Sequence, residues 1–334
     1  MGGTIRFITR QPDVNAFSGS VATDISSTKH GSLNNDTYAV VNYPVVPGTF
    51  AIRLGADLSY ESGYIDHYTG TATGIPPGGT PANGNLLSLN TNDSTGVLAQ
   101  KGVNDVHTSV FRASAKYTGP GDLTITPALL FQRTTTGDNG VFYPAIGLYE
   151  QDKRVGEPGK DILTVPSLTI SKGFDFADLT SVTSYFRRDF HRTTDGTYYN
   201  SNVFAFLLGC TMTSVCANAN GLPQTTLPPG LQSQTDRLVY QTNGIIGFIP
   251  SPVFYDTTAD QFSQEIRLAS KDAKVGGIPV SWTGGLYFSH LREAHTDDEF
   301  MPGLQNSFNT IYGPGFTIDQ TAFGAVWSMV KPGP

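Results

Sequence analysis

The sequence predicts an all-β fold, an antiparallel transmembrane β-barrel meander of about ten strands. Three observations predict it: one segment alternates without a break between apolar and polar residues, the composition is rich in turn formers, and short connections alternate with long ones. Side chains lie on alternate faces of a strand, so one face can contact lipid while the other contacts water.

The segment from Phe50 to Glu61 is the clearest strand. One face would carry Phe50, Ile52, Leu54, Ala56, Leu58 and Tyr60. The opposite face would carry Ala51, Arg53, Gly55, Asp57, Ser59 and Glu61. The apolar row begins and ends with an aromatic ring, which is typical of a membrane-spanning strand with rings at both interfaces.

Similar segments recur along the chain. The predicted strands are 16–27, 34–43, 49–61, 105–118, 121–133, 161–173, 174–191, 260–270, 279–292 and 319–330. In the seventh strand, Arg187 and Arg188 are adjacent, so one of them must share a face with Phe186 and Phe190. A cation on a lipid face costs about 2–4 kcal/mol at the membrane midplane but only about 0–1 kcal/mol near the interface. We therefore expect this pair to lie beyond the apolar band.

The connections between the strands differ in length in a regular order. Short turns are predicted at 44–48, at 119–121, around Gly173 and at 271–279. Long loops are predicted between them, at 62–104, 134–160, 192–259 and 293–318. An antiparallel meander would then have short turns at one end and long loops at the other, as outer-membrane barrels do.

Composition argues against several other classes of protein. Charged residues make up 15% of the 334 residues, against about 25% in a typical soluble domain. The net charge of −7 argues against a nucleic-acid-binding surface, and the longest uncharged apolar stretch, 203–210, is too short for a transmembrane helix. Met1 is followed by neither the basic nor the apolar segment of a signal peptide, so we expect the chain to be part of a longer protein.

Residues that could carry chemistry are few. Cys210 and Cys216 lack a neighbouring His or further Cys, so a disulfide in an oxidising compartment is expected rather than a metal site. His290, Glu293 and His295 miss the spacing of zinc-protease motifs, and on a strand His290 would face away from the other two. With no phosphate-binding glycine loop or nucleophile elbow, we expect neither enzymatic activity nor a cofactor.

The N-terminal residues resemble part of a known family. The stretch Gly2-Gly3-Thr4-Ile5-Arg6-Phe7-Ile8-Thr9-Arg10-Gln11-Pro12 resembles the end of the plug domain of TonB-dependent outer-membrane receptors. Residues 57–66 are similar to the end of the family's third strand, and residues 261–268 and 282–288 are similar to one of its hairpins. The resemblance implies that residues 1–13 are the C-terminal remnant of a plug and that residues 14–334 are the N-terminal portion of the β-barrel.

The same resemblance implies a function. Family barrels have 22 strands around a plugged lumen, so a chain with about ten strands would be an incomplete barrel. The family takes up scarce nutrients such as ferric siderophores, vitamins or oligosaccharides across the outer membrane of Gram-negative bacteria. The implied partners are outer-membrane lipids, the small-molecule nutrient or metal chelate, and the TonB complex acting through the missing plug segment. We do not expect transport by this chain alone.

Two sets of residues follow as candidates for the lumen and for ligand capture. Inward charges that would face plug or water are Arg53, Asp57, Glu61, Arg112, Lys116, Glu265 and Arg267. Loop aromatics that could stack on a ligand are Tyr68, Phe142, Tyr143, Tyr149, Tyr198, Tyr199 and Phe204. Two alternatives stay open on the sequence, a passive porin-like pore of about ten strands and a soluble β-sandwich binding protein.

Overall fold

A computed structural model describes residues 9–69, 97–142, 147–151, 153, 155–196, 251–271, 273–275 and 278–299. These ranges contain no helix that could span a membrane. The strands are, in chain order, β1 (Ser18–Ser27), β2 (Leu33–Val46), β3 (Phe50–Glu61), β4 (Asp66–Thr69), β5 (Val97–Gln100), β6 (Val106–Gly119), β7 (Leu123–Thr136), β8 (Glu150–Gln151), β9 (Gly159–Gly173), β10 (Ala177–Asp195), β11 (Pro252–Ser270), β12 (Ala273–Val275), β13 (Ile278–Val280) and β14 (Thr283–Glu299).

The main sheet is an antiparallel meander of nine strands in the order β1-β2-β3-β6-β7-β9-β10-β11-β14. Each strand of this sheet pairs with the next strand of the same sheet along the chain. The short strands between them belong to two smaller sheets. The predicted all-β antiparallel meander is confirmed, and these nine strands match nine of the ten predicted segments. The tenth segment, 319–330, lies outside the described residues.

The connections are sorted by end, with one exception. Three short turns lie at one end of the sheet, at 47–49, 120–122 and 174–176, and we call this the turn end. Gly48 and Gly121 have φ angles of 77° and 64°, a conformation that glycine adopts without strain. The fourth connection at this end contains the β12–β13 hairpin in place of the predicted simple turn. At the opposite loop end, the first connection, 28–32, is also short, so the sorting is not strict.

Several strands extend further toward the loop end than predicted. The sequence placed the boundaries at 191 and 260, but β10 continues to Asp195 and β11 begins at Pro252. The alternation of apolar residues stops there, whereas backbone pairing continues through Arg192↔Tyr255. Hydrogen bonding between strands needs no apolar side chain, so a hydrophobicity pattern ends the strand too early. The predicted long loops are shorter by the same residues.

Cross-strand register gives the sheet two chemically different faces. Residues directly opposite each other share a face, and Leu54 lies opposite Val41 on one side and Ala113 on the other. We call the face of Leu54 the outer face and the face of Arg53 the inner face. The register places every predicted inward charge on the inner face, namely Arg53, Asp57, Glu61, Arg112, Lys116, Glu265 and Arg267.

The outer face exposes apolar side chains that a water-soluble sheet would bury. Val21 is 75% exposed, Leu54 45% and Phe111 46%. Removing a side chain of this size from water is worth about 1.5–3 kcal/mol. A continuous exposed surface of this kind is suited to contact with lipid or with another apolar surface.

Aromatic side chains gather on the outer face at the turn end. Phe17 contacts Tyr43 edge to face with ring centroids 6.3 Å apart, and Phe50 lies opposite Tyr117. Trp282, just before β14, is 43% exposed. Belts of aromatic rings are typical of the boundary between hydrocarbon and water.

The adjacent Arg187 and Arg188 point to opposite faces, as strand alternation requires. Arg188 shares the inner face with Phe186 and Phe190, and its guanidinium donates to Asp161 at 2.6 Å. The prediction that placed these phenylalanines on the lipid face is wrong, because the register sets Phe190 opposite Asp161. Arg187 faces outward and forms an ion pair at 3.1 Å with the carboxylate two residues along the strand. From Arg187 onward the outer residues of β10 are polar or charged, so this part of the strand lies beyond the apolar rows.

Asn42 fixes the segment that precedes β1. Its side chain is fully buried, accepts a hydrogen bond from the Asp13 N–H at 2.9 Å, and donates to the carbonyl oxygens of Asp13 and Ala16 at 2.9 and 2.7 Å. The Gly48 N–H donates to the Val14 carbonyl at 2.8 Å. Residues 13–16 are therefore held across the inner face at the turn end.

We expect Asn42→Ala to release this leading segment. The change leaves the buried polar groups of residues 13–16 unsatisfied, which costs about 1–3 kcal/mol. Hydrogen exchange should show lost protection at residues 13–16. The free energy of unfolding should also be lower, as measured by denaturant titration. Asn35→Ala is the matched control, because that amide is exposed on the same strand and hydrogen-bonds the hydroxyls of Thr23 and Thr37, at 3.2 and 3.1 Å, rather than residues 13–16. Equal protection in both variants would contradict the role of Asn42.

Candidate functional site

A concave pocket of about 720 Å³ lies at the loop end, where β1, β2, β3, β6, β7, β9 and β10 meet. Its chemistry comes from the amides of Asn34, Asn104 and Asn139, the carboxylates of Asp24, Asp36, Glu61, Asp138 and Glu157, the rings of Tyr64 and Phe190, and the guanidinium of Arg192. This volume is within the range of about 300–1,000 Å³ that small-molecule sites occupy.

Carboxylates outnumber cations among the residues that line the pocket. Asp24 and Asp36 lie directly opposite each other on β1 and β2, so their like charges favour a partner that donates hydrogen bonds. Arg192 is the cation among the lining residues, and it lies at the far side of the pocket on β10. The arrangement can bind and orient a polar ligand against aromatic rings.

Ser62 and Asn34 join the short connection at 28–32 to the first long loop. The Ser62 hydroxyl accepts from the Ser32 N–H at 2.9 Å and donates to the Ser32 carbonyl at 3.1 Å. The Asn34 amide oxygen accepts from the Ser62 N–H at 2.8 Å. The packing is close, since a Cβ on Gly31 would lie 2.7 Å from the carbonyl oxygen of Gly63. This wall of the pocket is therefore fixed by hydrogen bonds between side chains and the backbone.

A three-stranded sheet, in the order β5-β4-β8, joins two of the long loops. The Asn104 amide oxygen accepts from the N–H groups of Tyr64 and Ile65 at 2.8 and 2.9 Å. Ile65 is fully buried, and the next residue, Asp66, donates its N–H to the Tyr149 carbonyl at 2.8 Å. These contacts hold the ring of Tyr64 in the pocket wall.

A buried ion cluster fixes the second loop. The Lys153 ammonium donates to Asp138, Asn139 and Glu157 at 2.5, 2.6 and 2.7 Å. The side chains of Lys153, Asp138 and Glu157 are only 2%, 4% and 5% exposed. Glu157 also accepts from the Asp195 N–H at 2.8 Å, which ties the loop to the end of β10. Buried charges are tolerated when they are paired and hydrogen-bonded in this way.

Of the aromatic residues that the sequence nominated, the structure brings Phe142 and Tyr149 together. Their ring centroids are 5.5 Å apart, and Tyr149 also contacts His30 at 5.0 Å and Tyr64 at 5.7 Å. Tyr64 lines the pocket, whereas Phe142 and Tyr149 lie outside its lining and Tyr149 packs against the ring of Tyr64. The prediction missed Tyr64, although it is the first aromatic residue after the end of β3 and could have been nominated as the first ring of that loop.

The other nominated residues are separate from this cluster. Tyr68 lies on β4, where burial, followed by the nearby carboxylates of Glu150 and Asp66, raises the pKa of its phenol. The remaining candidates lie outside the described residues, namely Tyr143, Tyr198, Tyr199 and Phe204, together with the cysteine pair Cys210 and Cys216.

The histidine-containing segment of β14 is divided between the two faces. His290 lies opposite Phe262 on the outer face, while Glu293 and His295 lie on the inner face, as the alternation predicts. His295 contacts the Thr257 hydroxyl at 2.8 Å. In the part of the chain that the structure describes, no group of three His, Cys, Asp or Glu side chains could hold a metal ion.

The fold is similar to that of a solved uptake receptor. The ferric yersiniabactin uptake receptor FyuA from Yersinia pestis aligns with 88% of this chain at a TM-score of 0.51 and 12% sequence identity. The likeness supports a fold shared with part of that receptor. The chain spans 33% of the length of that receptor, and at this identity the likeness concerns the fold alone. No protein-family model and no curated protein sequence matches the chain.

We expect Lys153→Met to open the second loop. The change keeps much of the length of the side chain but leaves Asp138 and Glu157 buried without their cation, which costs about 3–5 kcal/mol. Hydrogen exchange should show lost protection at 137–142 and 155–158. Lys172→Met is the control, because that ammonium is exposed and contacts the Gly121 carbonyl at the turn end. Unchanged protection in Lys153→Met would show that the cluster does not hold the loop.

Proposed function

We propose that the chain forms part of the wall of an outer-membrane receptor of a Gram-negative bacterium, which captures a scarce nutrient in the loop-end pocket for TonB-energised uptake. The two-faced meander carries this proposal, because its outer face suits hydrocarbon and its inner face ends in a polar pocket. The fold-level likeness to a ferric yersiniabactin uptake receptor supports it. A ferric siderophore, a vitamin or an oligosaccharide is the proposed class of ligand.

The proposed division of the chain is the one that its N-terminal resemblance implies. We assign residues 1–13 to the end of a plug and residues 14–334 to the barrel wall. Two contacts support this: Arg112 on the inner face donates to the Thr9 hydroxyl, and Asn42 binds Asp13 and Ala16. TonB would act on the plug rather than on the wall, so the wall contributes binding, and we propose neither catalysis nor a cofactor.

Preorganisation is the physical basis of capture in this proposal. The backbone around Tyr64 is fixed by Asn104, and the opposite side of the pocket is fixed by Lys153 through Asp138 and Glu157. A ligand then meets rings and amides that are already in place. Binding to such a site loses less conformational entropy than binding to mobile loops.

The membrane placement is tested by a charge on each face of β7. Leu129→Arg puts a cation on the outer face, and we expect it to lower the free energy of unfolding in phosphatidylcholine vesicles by about 2–4 kcal/mol. Thr126→Arg puts the same cation on the inner face of the same strand, where the expected change is within about 0.5 kcal/mol. Urea titration of the reconstituted chain measures both values.

Two outcomes would contradict the membrane placement. A chain that is a soluble monomer without detergent, with no cost for Leu129→Arg, would favour the soluble β-sandwich. Equal costs for both variants would show that the two faces have the same surroundings.

Capture is tested separately with ferric citrate, cyanocobalamin and maltotetraose as probes. We expect one of them to bind saturably to the folded chain and Tyr64→Ala to weaken that binding about tenfold, because a stacked ring contributes on the order of 1 kcal/mol. Tyr43→Ala is the control, because this ring lies at the turn end. Conductance in planar bilayers without binding of any probe would instead indicate the porin-like pore.

A further inference from the structure

A second pocket on the inner face is basic. It has a volume of about 250 Å³ and lies nearer the turn end than the loop-end pocket. Its lining includes Arg10, Arg53 and Arg112, together with Thr9 and Ser114.

Register explains why the arginines converge there. Arg112 lies opposite Gly55, which has no side chain, and Arg53 lies opposite Ser114, which has a small one. The space above the sheet is therefore open to both guanidinium groups. Arg112 donates to the Thr9 hydroxyl, and this contact places Arg10 at the same pocket.

The positive charge of this pocket is not balanced by its surroundings. Elsewhere in the sheet, Arg188 pairs with Asp161 and Arg267 with Glu265. No carboxylate lines the basic pocket, and among the described residues no ion pair involves its three arginines.

Neighbouring acids and the adjoining chain do not supply the missing charge. Asp57, two positions from Gly55 on the same face, forms no ion pair with these arginines among the described residues. Arg53 and Arg112 repel each other. The sequence of residues 1–8 adds a further cation, Arg6, and no acid.

We propose that Arg10, Arg53 and Arg112 form an anion site that binds one oxyanion group, a carboxylate or a phosphate. The guanidinium fork binds both groups through two parallel hydrogen bonds. The hydroxyls of Thr9 and Ser114 are further donors. The pocket is smaller than the roughly 300–1,000 Å³ of sites for whole ligands, so it fits a small anion or the anionic end of a larger molecule. The site is separate from the loop-end pocket and does not depend on nutrient capture.

The test is calorimetric titration of the full chain in neutral detergent at low salt with sodium phosphate and with citrate. We expect saturable binding that Arg53→Gln and Arg112→Gln each weaken at least tenfold. Arg112→Lys keeps the charge but loses the fork, and we expect it to weaken binding several-fold. Arg133→Gln is the matched control, because Arg133 lies on the outer face opposite Ser109, and it should bind as the unchanged chain does.

Several results would overturn the proposal. Absence of saturable binding by either anion would do so, as would equal weakening in Arg133→Gln and Arg112→Gln, which would indicate non-specific charge screening. A glutamate-rich peptide that binds where phosphate and citrate do not would assign the pocket to a polypeptide carboxylate instead. If the glutamine variants do not fold, unchanged affinity in Arg112→Lys overturns the proposed two-bond recognition.

Discussion

Register between neighbouring strands gives the sheet its apolar face and its charged face. Because side chains alternate, a shift of one residue would move every apolar side chain from the outer face to the inner one. The observed register keeps Val41, Leu54 and Ala113 in one row and leaves Arg53 and Arg112 on the other face. Both pockets depend on it, since inner-face residues of adjacent strands form much of each lining.

Polar contacts, rather than a hydrophobic core, hold the loop end together. Few apolar side chains in the described residues are buried, and Ile65 is the largest fully buried one. The loops are instead joined by the amide of Asn104, the hydroxyl of Ser62 and the ammonium of Lys153. Such contacts are directional, so they hold a pocket in one shape where general hydrophobic packing would permit several.

The inner face changes charge along its length. Carboxylates such as Asp24 and Asp36 dominate the loop end, whereas Arg53 and Arg112 give the wall a basic zone nearer the turn end. A ligand entering from the loop end would meet acceptors first and cationic donors later. This order is consistent with a wall that contacts different chemical groups at different depths.

Nine strands, their two faces and the side of the seven predicted inward charges followed from the sequence pattern, because a period of two is a local property. The sequence pattern assigned Phe186 and Phe190 to the lipid face, whereas the register sets Phe190 opposite Asp161 on the inner face. The pattern also ended β10 at 191, because apolar alternation is absent where only backbone pairing continues. The pockets could not be predicted from the pattern. Arg112 meets Thr9 across 103 residues, and Tyr64 meets Asn104 across 40, so these contacts depend on strand register and loop packing that no local pattern contains.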